Sequence, residues 1–433
     1  MRIVVGKRLP ACALLLVVSA CIHRPLGEAD DGGATVSGVA GQGAATGQGG
    51  GTGTGCSGGD PGLELIGSPL TVLDQPPANG NLYTSLVWTG EEYLFIWRLI
   101  GGADVLMQRI DANGQAVGGN IRVRDYENAL DVAWGASRLA AVWARRNGTD
   151  GRLMFQTFDG LGRPLIDETT LRASGGIDID GSVVYGPRIA AIREGFVVVW
   201  NEGIQVMVAT VDVTGFLLTG PMVAASDFRS APFLSLAASD ERFVVGWSGP
   251  PVTSRPGPPL IAPVTGTSAF SSGLTPLGIA NTLDAAALSA MPQVFVTGGG
   301  FLAFWTHGLP VGSTMSPEDA EVRITQLDNV GASAGNGIMD TPARGRVPDL
   351  VPAVWNGDHL VALWGGRTST DTGLTLTRFA PGGARQGTSL NLPTSTPATR
   401  FYIAAHAGTL AFIWAEEINR GYEVYFQRAR SCP

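Results

Sequence analysis

One hydrophobic pattern recurs seven times along the chain, and each copy ends in a tryptophan. The spacing between successive copies lies between 46 and 59 residues. These tryptophans are Trp97, Trp143, Trp200, Trp247, Trp305, Trp364 and Trp414. Four residues before each one stands a large apolar side chain, namely Tyr93, Leu139, Phe196, Phe243, Phe301, Leu360 and Leu410. The pattern therefore predicts seven copies of one structural unit.

Each copy predicts a β-hairpin followed by two further strands. In Leu86–Trp97 an apolar run meets a short polar turn and then a second apolar run, which is typical of a hairpin. The second run has no polar face, so we expect it to be buried on both sides. An alternating strand such as Val105–Ile110 follows, then an Asp-x-x-Gly turn such as Asp111–Gly114, then a more polar strand.

Four antiparallel strands per unit, with apolar inner strands and a polar outer strand, are typical of a propeller blade. The predicted fold class is therefore all-β, a seven-bladed β-propeller of four-stranded antiparallel blades. We expect the seven tryptophans to pack between blades; the alternative is a row of aromatic ligand platforms. The fourth unit is the least regular, because its third strand, within Pro251–Leu277, is weak.

The two ends of the propeller region complement each other. After Trp414 only one further strand, Tyr422–Gln427, precedes the end of the sequence. Two apolar segments, Leu63–Ile66 and Pro69–Leu73, precede the first repeat. We therefore expect an N-terminal strand to complete the last blade and close the ring.

Residues 1–20 have the features of an export signal. Arg2, Lys7 and Arg8 are followed by the short apolar run Leu9–Ser19, which is too short to span a bilayer. The segment Val18–Cys21 resembles a bacterial lipobox. This resemblance implies cleavage before Cys21, acylation of Cys21, and the lipid bilayer as a partner.

The position after the acylated cysteine bears on the cellular address. In lipoproteins of this kind an aspartate there favours retention in the inner membrane, whereas this chain has Ile22. For a Gram-negative cell we therefore expect the outer membrane or the cell surface, with the protein held by its lipid anchor.

Residues 21–61 predict a flexible tether, and residues 62–433 the propeller. From Gly32 to Gly59 nearly every residue is Gly, Ala, Thr, Ser or Gln, and none is aromatic. Such a segment has almost nothing to bury. About forty residues of this composition span roughly 35 Å from end to end. We therefore expect the propeller to be held away from the membrane.

Two cysteines remain after Cys12 is removed with the signal and Cys21 is acylated. Cys56 and Cys432 flank the strands that are expected to close the ring, so we predict a disulfide between them. Two free thiols or a zinc site are the alternatives. The sequence contains no paired C-x-x-C motif and no histidine cluster, and we therefore predict no metal site and no cofactor.

Charge and composition narrow the possible partners. Without the three basic residues of the signal the chain carries 26 basic and 37 acidic residues, a balance of −11. No basic patch is interleaved with aromatic residues, so we predict no nucleic-acid partner. The mature chain has no lysine, which excludes lysine-based catalysis. We expect a monomer.

Candidate functional residues come from the longest connections. Insertions occur in Ser248–Pro259, in His307–Ala320 and in Arg172–Tyr185, and in a propeller these connections open on one face. They carry one histidine and four carboxylates, which are the candidate binding-face residues: His307, Glu318, Asp319, Asp178 and Asp180. A solvent-exposed loop position is the alternative for each of them.

Three functions from different classes fit these features. The first is a non-enzymatic, tethered module that binds an envelope protein or a saccharide. The second is a carbohydrate-active enzyme that uses paired carboxylates at the rim. The third is a purely structural role in the envelope. Fold alone does not choose among them.

The repeat W-x-G-x-x-(Y/F/L)-x-x-x-W, the lipobox and the Gly-rich tether together resemble a group of propeller lipoproteins found in myxobacteria. The resemblance covers the whole mature chain, although the first tryptophan of the repeat is replaced in four of the seven copies. It implies an exported, lipid-anchored propeller. Most members of that group have no assigned activity, so the resemblance implies none here.

Overall fold

A computed structural model provides the structure of the protein. It describes residues 62–74, 82–99, 104–125, 130–147, 150–177, 186–228, 232–249, 264–284, 290–307, 321–334, 338–340, 352–365, 373–392, 394, 398–406, 408–418 and 421–432. Within these ranges the chain forms 28 β-strands in seven four-stranded antiparallel sheets and no helix. The prediction of a seven-bladed β-propeller is confirmed.

The first four blades follow one another along the chain. Blade 1 contains β2 (Leu82–Trp88), β3 (Glu92–Leu99), β4 (Asp104–Asp111) and β5 (Ala116–Asp125). Blade 2 contains β6 (Leu130–Gly135), β7 (Arg138–Asn147), β8 (Asp150–Phe158) and β9 (Thr169–Ser174). Blade 3 contains β10 (Arg188–Ile192), β11 (Gly195–Glu202), β12 (Gln205–Val211) and β13 (Leu217–Ala225). Blade 4 contains β14 (Phe233–Ala238), β15 (Arg242–Gly249), β16 (Val264–Ser271) and β17 (Asn281–Asp284).

The last three blades include the closure of the ring. Blade 5 contains β18 (Ala290–Thr297), β19 (Gly300–His307), β20 (Glu321–Leu327) and β21 (Ile338–Asp340). Blade 6 contains β22 (Ala353–Trp355), β23 (Leu360–Gly365), β24 (Leu374–Phe379) and β25 (Arg385–Leu392). Blade 7 contains β26 (Ala398–His406), β27 (Thr409–Ile418), β28 (Gly421–Ser431) and the N-terminal β1 (Leu63–Asp74).

Blade 4 is a complete four-stranded sheet despite its weak sequence pattern. Its third strand, β16, pairs with β15 over eight residues, from Arg242↔Ser271 to Gly249↔Val264. The irregularity lies instead in the outer strand β17, which has four residues. The apolar stretch before that strand contains Leu274 and Leu277, which pack into the hydrophobic core rather than forming a ladder.

Ring closure uses the N-terminal strand, as the sequence predicts. β1 pairs antiparallel with β28, from Leu63↔Ser431 to Asp74↔Glu423. The N–H of Cys432 donates a hydrogen bond to the carbonyl of Gly62 over 2.8 Å. Arg378 of blade 6 donates to the carbonyl of Cys432 over 2.7 Å and to the hydroxyl of Ser431 over 2.8 Å. The neighbouring blade therefore fixes the junction between the two ends of the domain.

The hydrophobic core is a series of clusters between neighbouring blades. Six of the seven tryptophans that end the repeats are at most 6% exposed and lie in these clusters: Trp97, Trp143, Trp200, Trp247, Trp305 and Trp414. Trp364 lies in β23, but its side chain is outside the described part. Burial of such large apolar rings between sheets provides much of the attraction between blades.

Four of the outer strands contain a β-bulge at a glycine, which interrupts the free edge of the strand. Gly67, Gly118, Gly220 and Gly387 have positive φ angles, and the strand register shifts at each of them. Bulges of this kind twist an edge strand and hinder pairing with another molecule. Polar side chains of the third strand bond to the outer strand nearby; Gln427, for example, donates to the carbonyl of Ile66 over 2.8 Å.

Asp-x-x-Gly turns join the third and fourth strands in four blades, as the sequence predicts. In blade 1 the Asp111 carboxylate accepts hydrogen bonds from the N–H groups of Asn113 and Gln115, both at 2.8 Å, and Gly114 has a φ of 90°. The turns that begin at Asp159, Asp212 and Asp328 repeat this geometry. A side-chain acceptor and a glycine with positive φ therefore define these corners.

Candidate binding face

The antiparallel order of each blade places its connections on two opposite faces. The first-to-second and third-to-fourth strand connections lie on one face, which we call the turn face. The second-to-third strand connections and the connections between blades lie on the other, which we call the loop face. Four connections exceed all others in length, and all four belong to the loop face: residues 175–187, 250–263, 308–320 and 341–352.

The candidate residues from the sequence all belong to these long connections or border them. Asp178 and Asp180 lie between β9 and β10, and Glu318 and Asp319 lie between β19 and β20. These four residues fall outside the described part of the chain. His307 is the last residue of β19, where its backbone pairs with Glu321, and its side chain is not described. The strands therefore bring the connections to one face, and the roles of these residues stay predictions.

A ring of seven buried positions, six of them polar, lies where the first strands of the blades surround the centre of the propeller. Each member stands twelve residues before the tryptophan of its blade. The members are Ser85, Asp131, Arg188, Ser235, Gln293, Pro352 and Tyr402, and all seven are buried. The Arg188 side chain of blade 3 interacts electrostatically with Tyr402 of blade 7. Since these blades are not neighbours, the two side chains meet across the centre.

The charged members of this ring join consecutive blades. The carboxylate of Asp131 in blade 2 accepts a hydrogen bond from the N–H of Ile189 in blade 3 over 2.9 Å. Arg188 in blade 3 donates through Nε to the carbonyl of Leu234 in blade 4 over 3.0 Å. A first strand has no sheet partner on its inner edge, so its buried backbone groups need bonds of this kind. The charged members of the ring therefore have a structural role: their hydrogen bonds hold consecutive blades together.

Burial has a definite electrostatic effect on Arg188. Loss of solvation lowers the pKa of its guanidinium, while the nearby Asp131 carboxylate and the Tyr402 phenol oppose that shift. A buried charge is tolerated when a counter-charge and hydrogen-bond partners compensate for the lost water. Sequence analysis missed the ring, although a polar residue twelve positions before the tryptophan in six of the seven blades was the available signal.

Carboxylates at the loop-face ends of second strands bond to tryptophan rather than facing solvent. Two residues after Trp414, Glu416 is buried and accepts the indole N–H over 2.8 Å. The equivalent Glu202 accepts the N–H of Trp200 over 3.4 Å and forms an ion pair with Arg172 of blade 2 over 2.8 Å. Both acids therefore satisfy a tryptophan N–H, and Glu202 in addition links blade 3 to blade 2.

The Glu202–Arg172 pair predicts a pH dependence of stability. The hydrogen bond from Arg172 holds the pKa of the Glu202 carboxyl below its ordinary value. The stabilisation is therefore complete above the unfolded pKa of about 4.3 and is lost as the pH falls through the lower, folded pKa. We expect Glu202→Gln to reduce stability at pH 7 by at most about 1 kcal/mol, since Arg172 is partly exposed.

Thermal unfolding between pH 7 and pH 3 measures this effect. The melting temperature of Glu202→Gln should fall less steeply below about pH 4.3 than that of the wild-type protein. Glu194→Gln, at an exposed carboxylate in the turn between β10 and β11, is the matched control. Parallel pH profiles for the wild-type protein and Glu202→Gln would contradict the assignment.

The described residues contain neither a cluster of metal ligands nor a membrane-spanning helix. No group of three or more histidine, cysteine, aspartate or glutamate residues there could hold a metal ion. No helix in the described ranges is long and apolar enough to cross a membrane.

Comparisons with known proteins identify the fold. The chain matches no protein-family model and no curated protein sequence. Among solved structures it is similar to the polysaccharide lyase Uly1, with a TM-score of 0.51, 11% identity, and coverage of 81% of this chain and 90% of that one. A second polysaccharide lyase, the PL25 ulvan lyase, gives a TM-score of 0.50 at 10% identity, covering 84% of this chain and 94% of that one.

TolB from Acinetobacter baumannii also matches, with a TM-score of 0.39 and 13% identity over 71% of this chain. This chain spans 65% of the length of that protein, and a TM-score this low supports no conclusion about structure or function. Identities this low show the fold alone for the two lyases as well. The fold and the comparisons together define the protein as a seven-bladed β-propeller.

Proposed function

We propose that the protein is a lipid-anchored lipoprotein of the cell envelope whose propeller binds a protein or a saccharide through its loop face. Cys21 carries the lipid, and residues 21–61 tether the propeller to the outer membrane or the cell surface. The proposal places the chain with the myxobacterial-type propeller lipoproteins that its repeats and lipobox resemble. The propeller acts as a monomer, without a cofactor, and as a binding module rather than an enzyme.

One observation carries this proposal: the long connections and the start of the described chain belong to opposite faces. The described chain begins at Gly62, next to Leu63, which pairs with Ser431 at the end of β28. Because β28 starts after a loop-face connection, its end and the start of β1 lie at the turn face. A tether that leaves from the turn face supports a loop face directed away from the membrane, where long variable loops commonly bind partners.

The second candidate is a carbohydrate-active enzyme that uses Asp178, Asp180, Glu318 and Asp319. The fold likeness to two polysaccharide lyases is the observation that favours it. Non-enzymatic binding is the better supported function, because the described acids Glu202 and Glu416 are bonded to tryptophan and Asp131 to a backbone amide. Paired catalytic carboxylates instead need free access to the substrate.

Shortening the loops tests the proposal. In the test variant, residues 250–263 and 308–320 are each replaced by a two-residue turn like Gly203–Ile204, which already joins β11 to β12 in blade 3. We expect this variant to fold normally, because long surface connections contribute little to the core. It should lose a partner or glycan that the wild-type protein binds. Photo-crosslinking in native envelopes and a glycan panel provide the measurement; amine crosslinkers do not suit a mature chain without lysine.

A turn-face variant with Asn113→Ala and Gln115→Ala is the matched control and should retain the partner. Loss of the partner in the control, or its retention in the shortened variant, would contradict binding through the loop face. Glycan turnover that disappears with Asp178→Asn or Glu318→Gln would instead establish the enzymatic candidate.

A further inference from the structure

Among the described residues, five large apolar side chains are exposed in connections of the turn face. They belong to the connections between the third and fourth strands of blades 2 to 5. Their exposed fractions include 70% for Phe216 and 84% for Ile279. We call this set the apolar arc: Leu161, Leu165, Phe216, Ile279 and Val330.

Contacts between blades bring neighbouring parts of the arc together. The blade 3 turn lies against blade 2, and the blade 5 turn lies against blade 4. The Thr157 hydroxyl of blade 2 donates to the carbonyl of Val213 in the blade 3 turn over 3.2 Å. The Asn281 amide of blade 4 donates to the carbonyl of Val330 in the blade 5 turn over 2.9 Å. Phe216 therefore lies beside blade 2, and Val330 beside Ile279.

The arc ends where the equivalent turns become polar or small. The connection between the third and fourth strands comprises residues 112–115 in blade 1 and residues 380–384 in blade 6, and neither contains a large apolar side chain such as Phe216 or Ile279. Blade 7 has no such turn, because its outer strand comes from the N-terminus. The tether thus leaves the turn face at blade 7, while the arc occupies the opposite half of the same face.

We propose that the apolar arc rests on the lipid bilayer to which the chain is anchored. This inference builds on the proposed lipid anchor at Cys21. The roughly 35 Å reach of the tether keeps the turn face close to the membrane, so that even weak apolar contacts are occupied. Side chains such as Phe216 and Ile279 enter the boundary between headgroups and acyl chains, as in other interfacial anchors.

Apolar contact rather than charge drives this docking. The mature chain is acidic, so anionic headgroups would not attract it as a whole. A contiguous apolar surface on a protein that is otherwise well packed marks an interaction site. With the tether on one half of the turn face and the arc on the other, two attachments hold the disc flat and direct the loop face outward.

Quenching by brominated lipids tests this docking on the full lipidated chain in phosphatidylcholine vesicles. An exposed indole is introduced by Phe216→Trp in one variant and by Ile204→Trp in the matched control. Ile204 lies in a loop-face turn and is 47% exposed. The emission of the indole at position 216 is the difference between the spectrum of the variant and that of the wild-type protein, which has ten tryptophans. We expect this difference emission to shift to shorter wavelength and to lose intensity with brominated acyl chains. The indole at position 204 should do neither.

The outcomes separate docking from the functions on which it builds. Equal emission at both positions in a vesicle-bound protein overturns the docking but leaves the anchor intact. Failure of the wild-type chain to co-float with vesicles, with no acyl mass on Cys21, refutes the anchor itself. A blue shift at position 216 without lipid quenching, together with a dimer in sedimentation, assigns the arc to a second copy and overturns the bilayer proposal. Normal quenching in the loop-shortened variant supports docking independently of ligand binding.

Discussion

Replacement of Cys432 by serine is expected to lower the free energy of unfolding by up to about 6 kcal/mol, since the predicted bond to Cys56 closes a loop of nearly the whole propeller. The structure describes one side of this junction. Cys432 is buried, and its N–H is bonded to Gly62, six residues after Cys56 in the sequence. Cys56 itself lies outside the described residues, so the pairing stays a prediction.

Chemical denaturation of wild-type and Cys432→Ser proteins provides the measurement. Reduction should destabilise the wild-type protein to the level of the variant and leave the variant unchanged. Alkylation under native, oxidising conditions should label neither Cys56 nor Cys432. Labelling of both thiols would contradict the disulfide, and destabilisation by a chelator would establish the zinc alternative.

Arg188→Met is expected to have the second largest effect, about 3–5 kcal/mol of lost stability. The substitution removes the hydrogen bond to the carbonyl of Leu234 and the positive charge beside Asp131. It thereby leaves a buried carboxylate without its counter-charge. Thermal and denaturant unfolding at neutral pH measure the loss.

A double variant and a ring control make this prediction sharper. Adding Asp131→Asn to Arg188→Met should recover part of the loss, because the unpaired charge disappears. Ser235→Ala, at the same ring position in blade 4, should be close to neutral, since within the described residues its hydroxyl has no hydrogen-bond partner. If Arg188→Met lowers the free energy of unfolding no more than Ser235→Ala does, the charged members of the ring do not hold the blades together.

The sequence predicts the fold of this protein well because each blade repeats the same burial. A second strand such as β11, buried on both faces, leaves an apolar run that ends in Trp200, and seven such runs define seven blades. Closure was also predictable, because blade 7 lacks one strand and the N-terminus supplies it. The sequence suggested two segments there, Leu63–Ile66 and Pro69–Leu73; the structure joins them through the Gly67 bulge into β1.

The central ring and the apolar arc could not be predicted in the same way. Six of the seven ring positions hold a polar residue, but only the three-dimensional fold brings Arg188 near Tyr402 of a distant blade. Exposure of Phe216 depends on how the blade 3 turn lies against blade 2, which no periodicity encodes. The candidate residues of the loop face belong to insertions without any repeat, so their arrangement leaves no mark in the sequence.

The pairing of the first strand with the last has a consequence for biogenesis. β1 is among the earliest parts of the propeller to be synthesised, and β28 is its last described strand. Contacts between residues so distant in sequence form slowly, because a long loop must close first. Blades 1 to 6 can therefore assemble in sequence during synthesis, whereas blade 7 must wait for β28. A nascent propeller that is cut short before β28 leaves β1 without its partner strand and the ring open.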